Sequence, residues 1–172
     1  MANSIWGVLT PFKAPLLMLA AERGYTVSLV IQFWLAGLFL FPLLRELGRS
    51  WPACFVGAVS WALCSNLLLF HWLYLNVFTW LPLVLWSWER HLRFRSAGWA
   101  LAASMFLALA FVGGSVQFAV FSAAWFGLYS LGRVSGDGWR ERLNGVLGIA
   151  GAGLVAGLLG AVQFVPFLEF LP

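Results

Sequence analysis

An all-α, polytopic membrane bundle is the fold class this sequence predicts, and three features predict it. Of the 172 residues, 62% are hydrophobic and only 9% are charged, against roughly 25% charged in soluble domains. A soluble domain of this size has too much surface for its volume to hide such an apolar content, so lipid is the solvent that fits. Charge-free stretches occur at the length of a membrane crossing, or at twice that length. The basic residues fall between those stretches in a regular alternation. The net charge of +4 therefore reads as membrane topology, and no nucleic-acid partner is expected.

A membrane-crossing helix needs roughly 20 mostly apolar residues. Residues 24–44 supply one. Residues 50–88 are free of charge over about twice that length. As a single helix they would reach about 60 Å, against a hydrocarbon core of about 30 Å. That stretch must fold back, and the polar residues Ser65, Asn66 and His71 mark the turn. Residues 96–132 are also double length, with Gly113-Gly114 as their break, and 143–168 give the last crossing. The prediction is six spans in a single transmembrane domain, near 25–44, 51–69, 73–89, 97–113, 116–132 and 144–164.

Charge tests that count. Arg45 and Arg49 follow the first span, Arg90, Arg93 and Arg95 the third, and Arg133, Arg140 and Arg142 the fifth, so eight of the ten Lys and Arg residues sit in alternate loops. Lys and Arg concentrate in cytoplasmic loops because they are poorly translocated. This places 45–50, 89–96 and 133–143 in the cytoplasm and both termini outside. Trp51, Trp86, Trp88, Trp99 and Trp139 flank these loops, where interfacial tryptophans belong. Residues 4–21 are apolar but interrupted by Pro11, Lys13 and Pro15, and are expected to form a re-entrant or interfacial helix on the outer face. No basic leader segment opens the chain, so no signal peptide is expected.

Lipid is as apolar as leucine, so close packing of small residues brings membrane helices together. The last span carries two such rows: Gly148, Ala152, Ala156 and Gly160, and beside it Gly153, Gly157 and Ala161. Gly157 is expected to lie against a neighbouring helix. Cys54 and Cys64 stand ten residues apart, about 15 Å along a helix, too far for a bridge within it.

The unusual polar residues fall on the uncharged side: Asn66, His71, Asn76, Gln117, Gln163 and Glu169. Polar groups are costly in a membrane unless paired or wetted, so these suggest a cavity opening outward, with His71, Gln117, Gln163 and Glu169 as its candidate rim. Plainer roles stand beside this one: interfacial solvation for His71, helix capping for Asn66, Asn76 and Gln117, an interhelical hydrogen bond for Gln163, a solvated carboxylate for Glu169. Arg93 and Arg95 could touch anionic lipid, although topology accounts for them. Pro166 is expected to end or kink the last helix. The sequence carries no metal-ligand cluster, nucleophile triad, phosphate loop or dinucleotide fingerprint, so no metal or cofactor is expected.

Four segments, in this order, carry a family likeness: "LAGLFLFPLLRELGRSWPACFVGAVSWALC", "WLPLVLWSWERHLR", "ALAFVGGSVQFAVFSAAWFGLYSL" and "AVQFVPFLEFLP". Together they resemble the YfhO-type bacterial membrane proteins of the GT-C glycosyltransferase class, over about residues 12–172. Ser115-Val116 stands where that family often has His-Pro. The resemblance implies part of a longer glycosyltransferase acting on the outer face with a polyprenyl-phosphate-linked sugar, and an isolated chain that is inactive. Such chemistry needs a carboxylate to activate the acceptor hydroxyl and positive charge for the leaving phosphate. Glu169, Lys13 and Arg23 are the outer-side groups on offer. The competing reading is a non-enzymatic module, either a transporter piece or an assembly subunit.

Overall fold

The computed structural model describes residues 21–64, 71–113, 116–133 and 139–168. All its regular structure among them is helical: α1 (Ala21–Glu46), α2 (Trp51–Ala62), α3 (His71–Phe94), α4 (Ala97–Gly113), α5 (Val116–Arg133) and α6 (Trp139–Leu168). Each predicted range overlaps one helix. The expected N-terminal helix at 4–21 lies outside the described residues, apart from Ala21, which opens α1.

Several boundaries differ from expectation. α2 stops at Ala62 rather than near 69, with Leu63 as its C-cap. His71 is the first residue of α3 and not part of a turn. α6 runs through Pro166 to Leu168, so this proline does not end the helix.

Local chemistry explains the turn between α1 and α2. Gly48 has φ +77, a left-handed conformation that glycine adopts without Cβ strain. Around it, the Arg49 N–H donates to the Leu44 carbonyl at 3.1 Å and the Gly48 N–H to that of Arg45 at 3.0 Å. This pair of bonds is the Schellman closure of a helix C-terminus. Pro52 lies in the first turn of α2, where the missing N–H costs nothing.

α3 is the central helix, packed against α1, α4 and α5, while α4 also packs on α6 and α1 on α2. One core cluster joins Val84 and Trp88 of α3 to Leu107 and Phe111 of α4, Phe126 of α5, and Ala152 and Ala156 of α6. A second joins Trp80 and Leu83 to Ala110, with Leu35 and Phe39 of α1 against them. Stacked rings link the two sides of α3: Phe39–Trp80 and Trp80–Phe106, both at 5.9 Å between centroids. Trp88, expected at the interface, is instead 1% exposed, with its ring edge-on to Phe126 at 5.2 Å.

Small residues set the closest helix approach, though not where expected. A Cβ added to Gly37 of α1 would meet the Ala58 carbonyl oxygen at 2.9 Å and the Ala62 Cβ at 3.1 Å. On α6, Ala152, Ala156 and Gly160 are buried, and Gly148 faces the Trp88 ring at 3.6 Å from an added Cβ. The expectation for Gly157 is corrected: an added Cβ there, or at Gly153, meets nothing within 4 Å. The two rows differ because the core engages only one face of α6.

By length and composition, two helical segments could each cross a membrane: Glu22–Glu46, of 25 residues, and Leu143–Ala161, of 19. Trp51–Ala62 and Ala97–Val112 are shorter apolar helices.

Candidate functional site

Two carboxylates organise the end of the bundle where α1, α3 and α5 finish. Glu46, the last residue of α1, accepts from Arg90 Nε at 3.2 Å and from Arg93 Nη1 at 2.8 Å. Glu89, near the end of α3, accepts on Oε1 from Tyr129 Oη at 2.7 Å and from Arg133 Nε at 2.6 Å, and on Oε2 from Arg133 Nη2 at 2.8 Å. The Arg133 contact is the bidentate fork that guanidinium and carboxylate geometry favours. Glu89 is 6% exposed, so its charge depends on those partners. The guanidinium of Arg90 also lies over the rings of Trp86, Phe94 and Trp99 at 5.4, 5.3 and 5.1 Å. Both carboxylates are thus committed as acceptors. Their chemistry is that of clamps holding three helix ends together, not of bases free to take a proton.

This assembly gives Arg93 a carboxylate partner in addition to its topological place, and gives the "WER" run of the sequence its role. It was missed because the partners lie 40 to 47 residues apart in sequence. No local periodicity marks such pairs. The faint signal was the presence of Glu46 and Glu89 inside otherwise basic loops.

Of the expected cavity residues, only the helix positions of His71, Gln117 and Gln163 are described. His71 is the first residue of α3, eighteen residues before Glu89, about 27 Å along the helix axis. Gln117 is the second residue of α5, sixteen before Arg133, about 24 Å away on the same measure. Gln163 is the sixth residue from the end of α6. The side chains of these three, along with Glu169 and Asn66 entirely, lie outside the described residues.

Two further residues fall in that half of the molecule. Glu22, which the sequence reading passed over, is exposed in the first turn of α1. Asn76 does not cap a helix end: it lies five residues into α3, and its amide Oδ1 and Nδ2 are both buried without a hydrogen-bond partner. A buried amide without a partner costs about 1–3 kcal/mol, so its presence calls for a reason. Among the described residues no group of His, Cys, Asp and Glu could hold a metal ion.

No curated protein and no solved structure matches this chain. The family model for the bacterial membrane protein YfhO matches residues 9–171. That match takes in every helix described above, and the chain belongs to the YfhO family of bacterial membrane proteins.

Proposed function

We propose that this chain forms six membrane spans of a glycosyltransferase that uses a lipid-linked sugar on the outer face, with both termini on that side. Family membership supports the membrane setting. The enzymatic reading rests on the resemblance to GT-C glycosyltransferases and on the contrast between the bundle's two ends. The clamped end carries Arg45, Arg49, Arg90, Arg93, Arg95 and Arg133, as a cytoplasmic face should. At the other end the Asn76 amide is buried without a hydrogen-bond partner.

The observation that carries the reading is Asn76. Its unpaired amide is buried about 7 Å along the axis from the start of α3. An amide kept unsatisfied at that depth is suited to hold a hydroxyl or phosphate oxygen of a ligand entering from the His71 end. With His71, Gln117, Gln163 and Glu169 on the rim, the cavity would take a sugar attached to polyprenyl phosphate. Glu169 is the candidate to orient or deprotonate the acceptor hydroxyl. No metal or cofactor is invoked.

The complete gene product, reconstituted in liposomes, tests this. With a radiolabelled polyprenyl-phosphate sugar it should transfer label, and Asn76→Leu and Glu169→Gln should each reduce transfer at least tenfold with normal expression. Wild-type transfer in both variants would remove these residues from the site. No transfer by the wild type across a panel of lipid-linked sugars would favour a non-enzymatic membrane module.

A further inference from the structure

Two arginines at the clamped end are not clamped. Arg45 and Arg49 are exposed, and neither forms an ion pair with a carboxylate among the described residues. Their acidic neighbour Glu46 is occupied by Arg90 and Arg93. Arg45 is nonetheless positioned. Its Nη1 donates to the Arg49 carbonyl at 3.0 Å, and its guanidinium lies 5.0 Å from the centre of the Trp51 ring. Trp51 is itself 65% exposed, as an interfacial anchor would be.

An apolar groove of about 490 Å³ between α1 and α2 begins one helical turn further in. Phe41 lies four residues before Arg45, and Phe55 four residues after Trp51, so each continues the same helix face inward. The Phe41 and Trp51 rings are 5.1 Å apart and join the groove to the arginines. Gly37 and Ala58 form the floor, where the two backbones nearly touch. On α1 the lining runs from Val30 to Phe41. Those eleven steps span about 16 Å of helix, close to half of a hydrocarbon core about 30 Å thick.

These dimensions select the occupant. A transmembrane partner helix would want a face running the length of α1. A single acyl chain needs one leaflet's depth, an apolar trough, and a head group at the mouth. Two arginines without carboxylate partners at that mouth complement a phosphodiester. We propose that the α1–α2 groove, with Arg45 and Arg49, is a binding site for one anionic glycerophospholipid in the leaflet at the clamped end. The phosphate engages the guanidinium groups and one acyl chain lies along Gly37 and Ala58.

Lipid retention tests it. The purified protein is exchanged into mixed micelles containing phosphatidylglycerol or phosphatidylcholine, and bound lipid is counted by native mass spectrometry. The wild type should retain one phosphatidylglycerol preferentially. The double variant Arg45→Gln/Arg49→Gln should lose about twenty-five-fold in that preference, since each basic group near an anionic head group contributes about fivefold. The matched control Arg95→Gln should leave it unchanged. Val59→Trp, which fills the trough, should abolish retention of either lipid. Equal retention by wild type and the double variant would overturn the proposal, as would a disulfide-linked dimer of a Val59→Cys variant in place of lipid retention. Should a variant fold poorly, the wild type still decides the matter: phosphatidylglycerol with a photoreactive acyl chain should label α1 and α2. Labelling confined to α5 or α6 would contradict the site.

Discussion

The two ends of this bundle treat their carboxylates and their amide differently, although the Ser87 and Ser130 hydroxyls at the clamped end are also buried without a hydrogen-bond partner. Where α1, α3 and α5 finish, both carboxylates are paired: the buried Glu89 receives three hydrogen bonds from Tyr129 and Arg133, and the half-buried Glu46 receives two from Arg90 and Arg93. Toward the start of α3, the Asn76 amide is buried with none. A charge cannot persist in such surroundings without partners, so the first end is built for holding. A neutral amide without partners costs little enough to be tolerated and leaves its hydrogen bonds available. On the proposed function, stability and ligand recognition are separated along the bundle axis.

Substitutions can break that comparison, beginning with the largest effect. Gly37→Leu should be the most damaging single change, costing about 3 kcal/mol or more, because overpacking typically costs 1–3 kcal/mol and here the obstacle is the Ala58 backbone. Gly157→Leu, on the open face of the same kind of small-residue row, should leave folded yield and thermal stability within error of wild type. A loss at Gly157 as large as at Gly37 would mean that a second surface packs there. Glu89→Leu should come next, costing about 2 kcal/mol. Breaking a fully buried pair costs about 3–5 kcal/mol, reduced here because the Arg133 side chain is 51% exposed. Thermal unfolding in detergent reads this directly.

Asn76→Leu sharpens the contrast, because its sign should be reversed. Removing an unpaired buried amide in favour of an apolar side chain of similar size should raise stability by about 1 kcal/mol. Destabilisation would show that the amide has a partner and belongs with the clamps. Smallest of all, Arg93→Gln should cost less than about 1 kcal/mol and lose even that in high salt, as exposed ion pairs do. The Arg93 side chain is 67% exposed, and Arg90 still reaches Glu46.

What was legible in the sequence follows from which interactions are local. Runs of apolar residues and their basic boundaries located all the described helices, because crossing length and charge placement act residue by residue along the chain. α4 matches its predicted range of 97–113. Helix ends near prolines and polar turns were less legible: hydropathy does not distinguish the last turn of a helix from the start of a loop, hence the shift of His71 into α3. The choice between the two rows on α6 was not readable. Both permit close approach, and which one is used depends on where Trp88 and α4 stand in space. Trp88 itself satisfies an interfacial and an interior pattern equally well, and its neighbours Phe126 and Ala152 are distant in sequence. The clamps at Glu46 and Glu89 were hidden for the same reason. Of the candidate site, the residues could be grouped on one side by topology, but the unpaired state of Asn76 is a property of the packed bundle alone.

The central claim is that the clamped end and the Asn76 end face opposite sides of the membrane. Reporter fusions made at Arg93 and at His71 test it most directly, using a reporter active only outside the cytoplasm. The account predicts activity at His71 and none at Arg93. Equal signals at the two positions would contradict it, because α3 would then not cross the membrane.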